Sequence, residues 1–274
     1  MCYYNGQKVT RSEFIQLKQL EKAVRNYDFL NVEVHNGFNY PLCAIAVATD
    51  DKRDFELIQA QWGYVPGKMG TDEAIAFRRK LTTLNFKGEN LFVSESGKPS
   101  MWRNAARENR CLVFSTGIIE SQHIPKLGKK GQELKATTKY PHLVGLKGHE
   151  YFWMPGLYSD WVNQDTGEVT RTFAIGITQA NELMKQVHNS KLRMPCILPD
   201  NLAWEWLMGD LTDDRITEIA MTQIPSRMLE ECTIGAEYRL DGIINKQQYD
   251  ELPRIKQESI DSEILDFDHW PKEI

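Results

Sequence analysis

No apolar run in this sequence is long enough to cross a membrane. The longest stretch free of charged residues, 34–49, contains His35 and Pro41 and falls short of the ~18 apolar residues a spanning helix needs. The opening Met1-Cys2-Tyr3-Tyr4-Asn5-Gly6 lacks a basic segment followed by an apolar core, so no signal peptide is expected. Cysteine is scarce: Cys2, Cys43, Cys111, Cys196 and Cys232 make an odd, widely spaced set with no CxxC and no Cys/His cluster. That argues against a disulfide framework, a zinc site or any other metal centre, and fits a reduced, cytoplasmic compartment. Neither sign of charge dominates. Lys+Arg 33 against Asp+Glu 38 leaves a net charge of −5 over 274 residues, which excludes a uniformly basic nucleic-acid binder. Repeats and Ser/Pro-rich linkers are also missing. With 41% hydrophobic and 26% charged residues, what remains is an ordinary globular composition.

Along the chain, Thr10 and Glu13 form a capping box ahead of Phe14, Leu17, Leu20 and Val24, a spacing that predicts a first helix. Buried strands are predicted at Cys43–Thr49 and Phe55–Trp62. Residues 71–80 read as a short helical or loop segment. Ser100 is a plausible N-cap for a helix through Asn109. Short strand-like runs then crowd together at Cys111–Gly117, His142–Lys147, Tyr151–Tyr158 and Arg171–Thr178. Between the first two lies a glycine-containing Lys126–Lys139 segment with five lysines, read as an exposed, mobile loop. Ala180–Val187, Asn201–Met208 and Thr212–Met221 read as helices and Pro195–Pro199 as a strand, with Cys232 in a late loop. The last 24 residues hold seven acids against three bases, an acidic, partly ordered tail. Short strands mixed with helices, without regular βαβ alternation, predict an α+β fold. The expected architecture is a single domain with a curved, mainly antiparallel, barrel-like sheet flanked by helices. Its boundaries are set at 2–230, with 231–274 a C-terminal extension.

Charge is uneven: residues 75–150 carry 14 Lys/Arg against 6 Asp/Glu. A basic middle on an acidic chain reads either as the footprint of a polyanion or as a solvated face with a lysine loop. Cys2 stands apart from the other cysteines, which read as small buried hydrophobes. If Met1 is trimmed, Cys2 carries a free α-amine and a thiol on one residue, both partly nucleophilic near neutral pH. The amine can condense with an aldehyde and the thiol can close on the imine carbon, giving a thiazolidine. Alternatively the amine can act as base for the thiol, as in N-terminal-nucleophile hydrolases. An incidental cysteine is the third reading.

Cys2 is accompanied by Trp62-Gly63-Tyr64-Val65-Pro66, Leu84-Asn85-Phe86-Lys87-Gly88-Glu89-Asn90, Lys98-Pro99-Ser100-Met101-Trp102-Arg103 and Arg110-Cys111-Leu112-Val113 leading into Gly117-Ile118-Ile119-Glu120. Thr178-Gln179-Ala180-Asn181-Glu182-Leu183-Met184, His188 and Arg193-Met194-Pro195-Cys196-Ile197-Leu198 follow. In order and spacing this series, over roughly residues 2–200, resembles the SRAP family, the SOS-response-associated peptidases or abasic-site processing proteins. The resemblance implies a protein that shields abasic sites in single-stranded DNA through a thiazolidine between its N-terminal cysteine and the ring-opened sugar. By motif match it implies Cys2 as nucleophile, Asn85 as its orienting amide, Glu120 as acid/base and His188 as the group assisting sugar opening. It implies no cofactor, and the family's peptidase label is tied to self-removal of the initiator methionine. Taken alone, Glu120 reads as a strand-end acid, His188 as a helix C-cap and Asn85 as a turn residue.

The sequence departs from the family pattern in places. The usual Cys-Gly-Arg opening is Cys2-Tyr3-Tyr4, and the usual Asn-Ala-Arg is Asn85-Phe86-Lys87, which keeps a charge but not the guanidinium fork. The residue after the glutamate, often aromatic, is Ser121, and the His-x-Arg spacing is stretched to His188…Arg193. Expected phosphate contacts are Lys87, Arg103 and Arg193, with Arg78, Arg79 and the lysine loop as a secondary set. Trp62, Tyr64, Met69 and Trp102 are candidates for stacking on bases, each with a competing reading as core packing that is stronger for the two tryptophans. The expected partner is single-stranded DNA containing abasic sites, bound by a monomer. The competing functions are a cysteine peptidase or amidohydrolase built on Cys2, and a non-catalytic single-strand binder.

Overall fold

In the computed structural model, which describes residues 2–263, the chain opens on strand β1 (Tyr4–Lys8). The helix expected over residues 10–24 is instead a β-hairpin, β2 (Phe14–Leu17) and β3 (Leu20–Ala23). Burial alternates along β2, with Ile15 and Leu17 inward and Phe14 and Gln16 outward, a period of two rather than 3.6. Lys18 turns the corner in the left-handed region at φ 53°. The capping box is pre-empted by a distant residue. Glu150 accepts the backbone N–H groups of Thr10, Arg11 and Ser12 at 2.6, 2.8 and 2.6 Å, so the donors a helix would have used are already bound.

The chain continues through β4 (Asn31–Asn36), β5 (Leu42–Ala48), β6 (Phe55–Trp62), helix α1 (Thr71–Lys80), β7 (Asn85–Lys87), α2 (Arg103–Glu108) and β8 (Arg110–Ser115). Next come β9 (Gly117–Leu127), β10 (Glu133–Leu146), β11 (Phe152–Val162), β12 (Val169–Gln179), α3 (Glu182–Val187) and β13 (Arg193–Pro195). The last described elements are α4 (Asp200–Met208), α5 (Asp213–Ala220), β14 (Leu229–Thr233), α6 (Tyr238–Asp241) and α7 (Gln257–Asp261).

The α+β, barrel-like architecture read from the sequence is the one observed. A five-stranded sheet runs β14-β10-β9-β1-β4, and a seven-stranded sheet runs β11-β8-β5-β6-β12-β13 with β7 paired to β12. Pairings are antiparallel except β12 with β6 and with β7. Several local readings are corrected. The Lys126–Lys139 loop is mostly paired ribbon, since β9 runs to Leu127 and β10 starts at Glu133. Helix α2 begins at Arg103, while Ser100 Oγ accepts only the Trp102 N–H at 3.4 Å. Of the strand expected at 195–199, β13 covers Arg193–Pro195 and Leu198 forms a single bridge to Trp153. Cys232 lies in β14, a strand that continues the sheet across the 230/231 boundary. The expected acidic tail is described only to residue 263. Within that part Glu263 accepts from the N–H groups of Glu182 and Ser226 at 2.9 and 2.7 Å, and the rest of the tail lies outside the described residues.

Two buried amides tie the sheets together at the start of the chain. Gln7 on β1 donates to the carbonyls of Ala44 on β5 and Phe114 on β8 at 2.9 and 2.8 Å, and accepts the Ala44 N–H at 2.7 Å. Asn5 adds a 3.1 Å bond to the Phe114 carbonyl. Both side chains are fully enclosed, so the bonds offset a desolvation cost that would otherwise forbid amides there.

Glu150 gives the first testable outcome. Burial pushes its carboxyl up, but the hydrogen bonds from residues 10–12 bring it down to about 2. Its folded-state value therefore lies below the ordinary value of roughly 4.3, and the stability it contributes is present above that value and lost as pH falls toward about 2. Glu150→Gln is expected to cost about 2 kcal/mol at pH 7, measured by urea unfolding, with the gap to wild type narrowing severalfold as pH falls toward about 2. A gap that stays the same from pH 7 down to that range would contradict this account.

Candidate active site

A cleft of about 400 Å³ is lined by Tyr3, Tyr4, Glu120, Ser121, His188 and Tyr238, among others, and Cys2 precedes its wall residue Tyr3, close enough to Glu120 for the carboxyl to act on the thiol. Cys2 itself is 0% exposed and packs in the same buried cluster as Cys43, Trp62, Leu84 and Ile175. Its Sγ lies 3.7 Å from the Tyr4 carbonyl. Burial, reinforced by the nearby Glu120 carboxyl, raises the thiol well above its ordinary value, so the sulfur is a neutral S–H at physiological pH.

Glu120 sits on β9, directly across from His142 on β10, and is 6% exposed. Burial pushes its carboxyl up to about 8. His188, just past the end of α3, is equally buried and lies 3.6 Å from Glu120 Oε2 through Nδ1. That same Nδ1 bonds the Arg193 carbonyl at 2.8 Å, which assigns the neutral tautomer: proton on Nδ1, lone pair on Nε2. Burial lowers the ring to about 4. Between about pH 4 and 8 the pair therefore stands as a carboxylic acid beside a neutral imidazole. One group can donate a proton and the other can accept one, and neither carries a charge.

Asn85 opens β7, where it pairs with Ile175 of β12. Its chain neighbour Leu84 and its partner Ile175 both belong to the cluster that encloses Cys2. Asn85 Nδ2 donates to the Leu84 carbonyl at 3.0 Å, while Oδ1 is a buried acceptor without a partner among the described residues. A buried acceptor in that state costs free energy unless a donor arrives.

The cations expected to meet phosphate divide into two groups. Lys87 is ion-paired with Glu95, and Arg193 Nη2 binds Glu89 at 2.5 Å. Arg78 donates to Gln61 Oε1 and the Gly63 carbonyl at 2.6 and 2.9 Å and stacks over Tyr40, which makes it a structural brace. Arg79 and Arg103 are exposed on α1 and α2. The stacking candidates are corrected. Trp62 is 0% exposed and Tyr64 4%, with Trp62 bonded to the Leu84 carbonyl and Tyr64 packed on Trp102, so neither offers a face to a base. Trp102 is likewise buried and Met69 half-buried.

Sequence reasoning missed Tyr238, Arg239 and Phe38, which line the cleft. Tyr238 is buried, packs edge-on to Tyr4 at 5.0 Å, and receives a 3.1 Å bond from Arg239 Nε. Phe38 is 50% exposed and touches Tyr3 at 4.7 Å between ring centroids. None of the three has a local sequence signal, because each reaches the site through long-range packing. Among the described residues no group of His, Cys, Asp and Glu could hold a metal ion, and no helix is long and apolar enough to cross a membrane.

Comparison with known proteins gives one family. The family model described as SOS response associated peptidase (SRAP) matches residues 3–237. No curated protein matches the sequence. Among solved structures, a protein from Bacteroides thetaiotaomicron is similar at 25% identity and TM-score 0.67, covering 87% of this chain and 94% of its own. A protein from Bordetella bronchiseptica is similar at 18% identity and TM-score 0.61, covering 85% of this chain and 100% of its own. A phage-related protein from the same organism follows at 20% and 0.55, covering 85% and 94%. The two lower identities show the fold.

The raised Glu120 carboxyl carries a stability cost with a definite sign. The folded protein holds that proton up to about pH 8, whereas the unfolded chain releases it near its ordinary value, roughly 4.3. Stability therefore falls as pH rises between those values. Glu120→Gln removes the titration, so its urea midpoint should match wild type near pH 4.5 and exceed it at pH 8.5. A midpoint difference that does not change with pH would refute the assignment.

Proposed function

The chain belongs to the SOS response associated peptidase family, and from that premise we propose that it captures abasic sites in single-stranded DNA as a thiazolidine on Cys2, once Met1 is removed. The observation that carries this reading is the pairing of a buried carboxyl raised to about 8 with a neutral histidine in one cleft, with the Cys2 thiol near enough to feel that carboxyl. An abasic deoxyribose exists mostly as a closed hemiacetal, so its capture begins with proton movement. Glu120 donates to the ring oxygen as the C1′–O4′ bond breaks, and His188 Nε2 takes the proton of the C1′ hydroxyl. The exposed aldehyde meets the Cys2 amine, oriented by Asn85 Oδ1, and the adduct loses one water to form the imine. The Cys2 sulfur then bonds C1′ while its proton passes to the imine nitrogen, closing the ring.

The thiol's raised value suits this order of events. A peptidase needs its sulfur as thiolate at neutral pH, held down by a neighbouring cation; Cys2 is pushed the other way by burial and by Glu120. A thiazolidine route needs the amine first and the sulfur second, when the electrophile is already in contact. Free cysteines throughout accord with a reduced, cytoplasmic setting, and the cleft as described is formed within one chain.

Mixing the Met-trimmed protein, its trimming checked by intact mass, with an oligonucleotide carrying one abasic site should give a heat-stable shifted band on a denaturing gel. Cys2→Ser should abolish it, and Glu120→Gln should slow it by on the order of 100-fold at pH 7. Trimmed protein that gives no band, or a Glu120→Gln variant reacting at the wild-type rate, would overturn the reading.

A further inference from the structure

The β9–β10 ribbon extends beyond the five-stranded sheet as an arm whose residues 124–139 carry five lysines against the single acid Glu133. On a chain with net charge −5 this is a strong local reversal. The arm is ordered secondary structure: His123 pairs with Lys139, Ile124 with Thr138, Pro125 with Thr137 and Leu127 with Glu133. Lys126, Lys129, Lys130, Lys135 and Lys139 are all exposed. At its base, the paired His123 and Lys139 line the same cleft as Glu120 and His188. On other walls of that cleft stand Lys191 and Arg239, the latter braced by its own bond to the Tyr238 hydroxyl and stacked over that ring.

The contrast with the contacts expected from sequence is informative. Lys87 and Arg193 are held by Glu95 and Glu89 and must exchange a carboxylate to bind a phosphate. Among the described residues, none of Lys126, Lys135, Lys139, Lys191 or Arg239 is in an ion pair. Their positive field is therefore directed outward, continuous from the cleft mouth along the ribbon.

We propose that the β9–β10 ribbon is a phosphate-tracking arm that binds the sugar–phosphate backbone of the strand leaving the cleft, handing it to Lys139, Lys191 and Arg239 at the mouth. This rests on the reading above that the cleft takes a nucleic-acid strand. Backbone contacts of this kind are independent of base sequence and release counterions, so they appear in the salt dependence of binding.

The test uses the full chain and an intact single-stranded oligonucleotide without an abasic site, so that only non-covalent binding is read. The variant Lys126→Gln/Lys135→Gln is compared with Lys68→Gln/Lys98→Gln, which removes two exposed lysines elsewhere. Thermal melting of both verifies folding. The arm variant should bind roughly tenfold more weakly at 0.1 M salt, with the slope of log K against log salt reduced by about 1.4, or about 0.7 per contact. The control should leave both unchanged. Equal losses in the two variants, or an unchanged slope in the arm variant, would overturn the proposal. Crosslinking at an abasic site is scored separately on wild-type protein: an arm effect without any crosslink would sink the thiazolidine reading alone, and a crosslink without an arm effect would sink the arm alone.

Discussion

The side-chain amide of Gln7 fixes the geometry on which everything else depends. Its three bonds, to Ala44 N–H and to the carbonyls of Ala44 and Phe114, join a strand of the five-stranded sheet to two strands of the other. A backbone ladder cannot make that connection, because β1 pairs only with β4 and β9. Inside the protein such a network is stiff, since breaking one bond leaves a buried donor or acceptor unpaired. The first residues of a chain ordinarily fray. Here they are pinned from Asn5 onward, and the Gly37 N–H takes the Tyr3 carbonyl at 2.8 Å. Cys2, just before these anchors, is thereby held in the buried cluster it packs in.

Burial then performs the chemistry's preparation. The same loss of water that moves Glu120 up moves His188 down, because in each case the charged form is disfavoured. A site built on opposite charges would have needed an ion pair and would have fixed both protons. Instead two neutral groups, one acidic and one basic, face a cleft at physiological pH. The cost appears as lost stability above the ordinary carboxyl range, a trade common where function and stability draw on one group.

The fold class and the candidate site were legible in the sequence to different depths. The α+β, barrel-like arrangement followed from short strands without βαβ alternation, and Cys2, Asn85, Glu120 and His188 followed from ordered motifs. The structure sets Glu120 and His188 in one cleft, with Cys2 buried near Glu120 and Asn85 against the cluster that encloses Cys2. Illegible were features decided by distant partners. The residues 10–24 hairpin carries a convincing helical ladder, but Glu150, far along the chain, claims its capping donors. Lys87 and Arg193 read as open cations until Glu95 and Glu89 are placed beside them. Tyr64, in a Gly/Pro-rich loop, reads equally as a stacking face or as core, and it closes the core, as does Trp62, for which core packing is the stronger reading. Tyr238 and Arg239 lie just past the family match, with no local signal to mark them.

The account's central claim is the identity of the bond to DNA, and peptide mass spectrometry of the purified adduct tests it most directly. The account predicts that the N-terminal peptide, beginning at Cys2, carries the abasic nucleotide with the loss of one water and gains no mass on borohydride treatment, as a closed thiazolidine requires. An adduct on any other residue, or one that takes up two hydrogens from borohydride as an open imine would, contradicts it.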